Sequence, residues 1–323
     1  MGQDKKSLLI TGAGGYIGRQ VVEALAEDRP GIGTVVAADI RLPAAAERFD
    51  TIEYVESDVR SPELGDILER FKVDVVVHLA AIVSPGRKPN RELEYSVDVL
   101  GTGNTLECCL AAGVGKIIVM SSGAAYGYYP DNPEWIDEQD EIRGNPEFAY
   151  SDHKRQAENM LAQWRKDHPE LKQLIFRSGT ILGATTSNQI TALFDGRFVM
   201  GLSGAATPFV LIWDKDVVGG IIHGMGDDST GMFNLAGDGT LTMREMAAMM
   251  KKPYISVPVG IVKAALWVLK KLRLTQYGPE QVNFLRYRPV LSNKRLKTEF
   301  AYIPKKTTRQ VFEYFLEARN NAG

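Results

Sequence analysis

Lys5 to Gly18 reads KKSLLITGAGGYIG. Ser7 to Thr11 is a short apolar run, long enough for one buried strand. Gly12, Gly14, Gly15 and Gly18 follow, and from about Tyr16 the apolar residues Ile17, Val21, Val22 and Leu25 recur at helical spacing. A strand, a glycine turn and a helix in that order form a dinucleotide-binding unit. Gly12 suits the tight turn, Gly15 admits a pyrophosphate close to the backbone, and Gly18 lets the helix pack on the strand. The helix N-terminus offers free N–H groups and a partial positive charge to the phosphates, so Gly14, Tyr16 and Ile17 join these glycines as expected cofactor contacts.

The next segment supports that reading. Val35 to Ala38 reads as a second strand and ends in Asp39, 21 residues past Gly18. An acid at this place accepts from the adenosine ribose hydroxyls and repels a 2′-phosphate, so the expected cofactor is NAD, with Ile40 beside it. Arg41 pulls the other way, since an arginine there accommodates that phosphate.

The chain has 323 residues, enough for a main domain with a smaller lobe. Its composition, 44% apolar and 24% charged, is that of an ordinary globular protein. With 38 basic against 40 acidic residues, nothing suggests nucleic acid as a partner. The two cysteines, Cys108 and Cys109, are adjacent and read as small core residues, with no metal-ligand spacing. Met1 to Lys6 leads straight into the first strand, and no apolar run reaches the ~18 residues of a membrane span, so a cytoplasmic protein is expected.

Further along, Thr51 to Val55 reads as a third strand, leading to Ser57, Asp58 and Val59. Pro62 to Phe71 fits a helix capped by Ser61. Val73 to Leu79 is nearly all apolar, as a strand buried on both faces is, and the small Ala80 and Ala81 after it leave room for a cofactor. Glu92 to Ala112 reads as one long helix and Lys116 to Ser121 as another buried strand. This alternation predicts a doubly wound parallel α/β sheet with ligands at the carboxyl ends of its strands. Asp58 there suits the adenine amine, and His78 reads as packed in its strand. Gly123 to Phe148 reads as a long loop, and Phe148 to Trp164 as a helix that places Tyr150 and Lys154 on one face.

A Tyr with a Lys one turn later works as an acid/base pair, the ammonium lowering the phenol from about 10. Ser122, at the end of the preceding strand, can hydrogen-bond the same substrate oxygen.

In these residues the chain resembles the extended short-chain dehydrogenase/reductases of the NAD-dependent epimerase/dehydratase type, over essentially its whole length. Thr11 to Gly18, Asp39, Asp58-Val59, His78 to Ala81, Ser122 before Tyr126-Gly127, Tyr150, Lys154, Arg177 to Gly183 and Trp213 to Val217 carry the resemblance. It implies a Rossmann domain over residues 1–180, also receiving roughly 208–236, and a substrate lobe from 181–207 and 237–323. It implies Ser122, Tyr150 and Lys154 as catalytic residues. Cofactor contacts are expected from the residues already named, with Leu79, Ala80, Ala81 and Ser121, and a homodimer through the long helices. Ser84, Gly123, Ala124, Thr180, Asn188 and Trp213 are substrate candidates.

Departures from the pattern narrow the reaction. Asp98 stands where many members have Asn, which puts a proton relay built on that Asn in doubt. Gly123 and Ala124 replace the acids of the dehydratases, and Ala125 that of the decarboxylases. Thr180 and Phe209 stand where UDP-sugar epimerases have Asn and Arg, so the usual pyrophosphate handles are not evident. The leading expectation is an NAD-dependent oxidoreductase of a secondary alcohol or ketone. The alternatives are a nucleotide-sugar 4-epimerase that retains its NAD and, in another class, a non-catalytic dinucleotide sensor.

The lobe is less legible. Thr242 with Glu245 forms a capping box for a helix to Lys251. Val259 to Leu274 is apolar at helical spacing and carries Lys263, Lys270, Lys271 and Arg273. The expected reading is a lobe helix packed on its neighbours; the sharper one is a basic amphipathic helix at a membrane, or a lid over an apolar substrate.

Overall fold

The computed structural model describes residues 5–83, 90–226, 228–272, 274–275 and 278–321. The chain begins with β1 (Lys6–Thr11), α1 (Tyr16–Glu27), β2 (Ile32–Asp39), β3 (Glu53–Glu56), α2 (Glu63–Arg70) and β4 (Val75–His78). A long helical stretch follows as α3 (Arg91–Tyr95), a π turn (Ser96–Leu100) and α4 (Gly101–Ala111). Next come β5 (Lys116–Ser122), α5 (Ala149–Asp167), β6 (Lys172–Ser178), β7 (Thr180–Leu182), β8 (Val199–Leu202), β9 (Pro208–Phe209), β10 (Leu211–Trp213), α6 (Asp214–Gly226) and β11 (Gly231–Leu235). The chain closes with β12 (Leu241–Thr242), α7 (Met243–Met249), β13 (Tyr254–Val257), α8 (Val259–Lys271), α9 (Gln281–Arg286), α10 (Lys294–Thr298) and α11 (Thr308–Asn321).

Seven parallel strands form the sheet in the order β11-β6-β5-β4-β1-β2-β3. Its strands are apolar on both faces because helices cover both. Val21, Leu25, Val217 and Ile221 of α1 and α6 pack on one face, and Leu64, Leu68, Leu106 and Leu161 of α2, α4 and α5 on the other. Cys108 and Cys109 are buried free thiols of α4. A smaller core in the C-terminal lobe joins Phe194, Phe209, Met246, Phe312 and Phe315.

Two details depart from the sequence reading. The helix predicted as regular from Glu92 to Ala112 takes an extra residue into the π turn at Ser96–Leu100. The segment from Gly123 to Phe148 is the expected long loop after a short turn at Gly123–Tyr126, and it is anchored. Tyr126, Tyr128, Ile136 and Asn145 are buried, and Ile136 N–H donates to Val290 O at 2.7 Å. Lastly, α8 contains no buried residue, against the expectation of a packed lobe helix. The Thr242–Glu245 capping box forms. Among the described residues no helix is long and apolar enough to cross a membrane.

Candidate active site

The strand order reverses between β1 and β4, and ligands bind at the carboxyl ends of strands beside such a reversal. Gly12 closes β1 in the left-handed region, φ +68°, and a Cβ there would lie 2.6 Å from the Ala80 backbone nitrogen. A Cβ on Gly18 would overlap the Gly12 carbonyl oxygen, so the helix sits as close as its glycine allows. Gly15 is the N-cap of α1; no side chain caps it, and the first turn contains no acid. That bare terminus suits an anion. Asp39 lies over the turn: its Oδ2 accepts from Gly14 N–H at 2.9 Å and its Oδ1 from Arg41 N–H at 3.1 Å. Ile40 beside it is exposed.

Asp58 is gripped by the Arg60 guanidinium, whose hydrogen bonds hold its carboxyl below the usual range. Val59 is buried, and its carbonyl accepts from the Asn104 amide at 2.7 Å. Leu79 N–H donates to Thr11 O at 3.1 Å, which seats Leu79, Ala80 and Ala81 beside the glycine turn. The Tyr16 phenol donates to Asp214 Oδ2 at 2.6 Å and accepts from Thr186 at 2.9 Å; burial, then Asp214, pushes it up to about 12.

Ser122 ends β5, and its Oγ accepts from Ala124 N–H at 3.1 Å and hydrogen-bonds the Tyr150 phenol. Lys154, one turn along α5, holds its ammonium 5.8 Å from the Tyr150 ring centre and donates to Met120 O at 2.9 Å. Ser122, Tyr150 and Lys154 thus come together at one strand end. Burial pushes the phenol up to about 12; the Ser122 bond lowers it and the Asp98 carboxylate raises it. Burial pushes Lys154 down, while Asp98 and Glu158 hold it up.

His78 is the packed residue of the sequence reading. Burial, then Lys154, pushes it down to about 3, so it is neutral. Thr102 donates to Asp98 O, so its oxygen accepts from His78 Nε2–H at 3.1 Å, and His78 Nδ1 accepts from Thr11 at 2.9 Å. Asp98 is buried in the π turn. Its Oδ1 accepts from Ile82 N–H at 2.8 Å, and its Oδ2 lies 3.5 Å from His153 Nδ1 without a hydrogen bond.

Several candidate side chains have other partners. Ser121 Oγ donates to Glu158 Oε1 at 2.5 Å, which leaves only its backbone toward a cofactor. Asn188 Oδ1 caps Ile190 and Thr191. Trp213 lies under Lys306, 4.8 Å away, and edge-to-face with Tyr314. Gly123 and Ala124 are buried in the short turn after Ser122, where a Cβ on Gly123 would meet Leu291 at 2.9 Å. Ser84 lies outside the described residues.

The sequence reading missed Arg288. Its Nη2 donates to Thr180 Oγ1 at 3.0 Å, its guanidinium lies 4.1 Å over the Phe209 ring, and its Nη1 is buried with no hydrogen-bond partner. Thr180 and Phe209 are the two positions that appeared to lack an anion handle; a third segment supplies a cation to both. Burial, with Tyr150 in the same direction and the Arg288 charge against it, pushes the Tyr128 phenol up to about 12, so Tyr128 lies within electrostatic reach of both groups.

Residues 8–205 match the sequence pattern of the NAD dependent epimerase/dehydratase family. The chain belongs to that family. Over 98% of its length it is 24% identical to an uncharacterised protein of Mycobacterium tuberculosis, covering 85% of that protein. A UDP-glucose 4-epimerase of Mycolicibacterium smegmatis is 34% identical over 49% of this chain and 50% of its own. A UDP-glucose 4-epimerase from Thermotoga maritima, solved with UDP-glucose, superposes with a TM-score of 0.76 at 19% identity, covering 98% of this chain and 99% of that one. A dTDP-glucose 4,6-dehydratase from Bacillus anthracis, solved with NAD, gives 0.74 at 16% over 98% and 97%.

The residues fit the cofactor of the family name. A Cβ would fill the cradle at Gly12, the α1 terminus is uncapped, and Asp39 carries the charge that disfavours a 2′-phosphate.

Proposed function

We propose that the protein is an NAD-retaining epimerase of a nucleotide sugar, the alternative rather than the leading expectation from the sequence. The observation that carries this is Arg288. A guanidinium whose buried Nη1 has no partner, within electrostatic reach of Tyr128, is what a substrate phosphate satisfies and what a plain alcohol leaves unpaired. The family membership and the epimerase relatives support the same reading.

Tyr150 takes the proton from a ring hydroxyl, Ser122 donates to the same oxygen, and Lys154 holds its charge beside the phenolate. Held at the glycine turn and Asp39, NAD would supply a hydride acceptor and donor for that carbon and a positive charge that lowers the phenol. Tyr150 then gives its proton back to the oxygen after the sugar has turned its other face. Gly123 and Ala124 supply no second acid, so water is not expelled. Exposed Leu93 of α3 and Leu100 at the end of the π turn support a homodimer through this helical stretch.

The test pairs nucleotide content with substrate affinity. Near one NAD per chain after acid denaturation, and epimerisation of a UDP-sugar, is the expected outcome. Arg288→Ala should keep its NAD and raise KM for the sugar nucleotide about 10–100-fold, the worth of one or two charged hydrogen bonds. Turnover of simple alcohols with freely exchanging NAD, or an unchanged KM in Arg288→Ala, would overturn the proposal.

A further inference from the structure

The helix α8 touches the lobe by one stripe only. Val259, Val262 and Leu266 are half-buried, and no residue of the helix is buried. On the turned-away side Ile261, Val268 and Leu272 recur at i, i+7 and i+11, exposed by 60, 45 and 61%. Trp267, 56% exposed, stands at the margin with the Lys271 ammonium 5.0 Å over its ring. On the β8–β13 ribbon just before the helix, Met200 and Ile255 are register partners and both exposed. Monomeric proteins seldom leave so much contiguous apolar surface without a partner.

Charge selects the partner. Between Glu245 and Glu280 the sequence contains no acid, yet it carries Lys251, Lys252, Lys263, Lys270, Lys271 and Arg273. Lys270 meets Glu280 at 2.9 Å in an exposed pair, which is worth little. A two-fold contact between copies would set these lysines against themselves, because such a contact repeats one patch on both sides. An anionic bilayer surface meets all three features. It takes the apolar stripe into the acyl boundary and a tryptophan at the interface, with Lys271 beside that ring reaching the phosphates and the remaining lysines adding long-range attraction.

We propose that α8 seats this protein on the surface of membranes containing anionic lipid. This goes beyond the reaction proposed above and does not depend on it.

The test is flotation of the full chain with vesicles of phosphatidylcholine alone and with about one third phosphatidylglycerol. Flotation with the anionic vesicles only, weakened by salt, is expected. The Lys263→Glu/Lys270→Glu/Lys271→Glu variant should bind far more weakly, since each lysine near a charged surface is worth about fivefold in partition. Ile261→Ser/Val268→Ser/Leu272→Ser should abolish flotation with its melting curve unchanged, because all three side chains already face solvent. If that variant misfolds, quenching of Trp267 by brominated lipid, compared with Trp267→Phe, gives the same reading on otherwise unaltered protein. Absence of flotation with anionic vesicles, or binding indifferent to both triple variants, overturns the proposal. So does a serine variant that lowers the particle mass in solution while neither it nor wild type floats, which would assign the face to another copy.

Discussion

In the proposed reaction Tyr150 has to lose a proton in a pocket that keeps it protonated. Burial, with Asp98 working in the same direction and Ser122 against it, holds the phenol up at about 12. Tyr150→Phe should cut turnover by about 10²–10⁴-fold, the usual worth of a general acid/base. It should leave NAD content intact; normal turnover would end the assignment. Asp98→Asn is subtler. An Asn Oδ1 can still accept from Ile82 N–H while the negative charge disappears. Asp98 raises both Tyr150 and Lys154, so both limbs of the pH–rate profile should move to lower pH. An unmoved profile would show that Asp98 only caps Ile82. At this scale the sequence was readable where chemistry is local: Ser122 at a strand end, and Tyr150 and Lys154 one turn apart. Arg288 was not, because its role exists only once a segment 108 residues distant brings it to Thr180. The aromatic and basic run Asn283 to Pro289 was the one available cue.

Among the elements, the glycine turn is the least replaceable. Gly12→Ala adds a methyl in the left-handed region and drives it against the Ala80 backbone. The strain is on the order of 1–3 kcal/mol, and NAD content per chain should fall with it. Full NAD content with an unchanged melting point would mean that the turn relaxes. The first half of the fold was legible because its strands are continuous apolar runs between glycine and helix signals. Two elements were misjudged for physical reasons. Helical periodicity from Glu92 to Ala112 does not register one surplus residue, so the π turn that carries Asp98 inward was invisible. Periodicity in α8 shows which residues are apolar but not what covers them.

In the molecule as a whole, a buried polar chain ties β5, β6 and β11 of the sheet to α5. Ser121 donates to Glu158, which pairs with Arg177 at 2.6 Å; Arg177 donates to the Tyr126 phenol, which donates to Asn234 at 2.9 Å on β11. Glu158→Gln leaves the Arg177 charge buried without its counter-ion, and about 3–5 kcal/mol of stability should be lost. A thermal melt within a degree of wild type would refute this. Alkali tests the whole structure. Tyr16, Tyr128 and Tyr150 are all raised from 10 to about 12 by burial. A phenol raised in the folded state contributes its full stability below about pH 10 and loses it as pH climbs to about 12. Unfolding followed by circular dichroism should therefore set in across that window and not between pH 7 and 9.

The central sheet is completed late. Its last strand, β11, comes from residues Gly231–Leu235 and pairs along β6 from Leu174 to Ser178. The family pattern ends at residue 205, short of that strand. A fragment cut there would bare the β6 edge, a row of unpaired backbone groups flanked by Leu174 and Phe176, and strip Asn234 from Tyr126. Such an edge recruits other chains. The amino-terminal part, although it holds the glycine turn and the Ser122, Tyr150 and Lys154 side chains, should collect as aggregate when made alone and become soluble when residues 206–240 are restored.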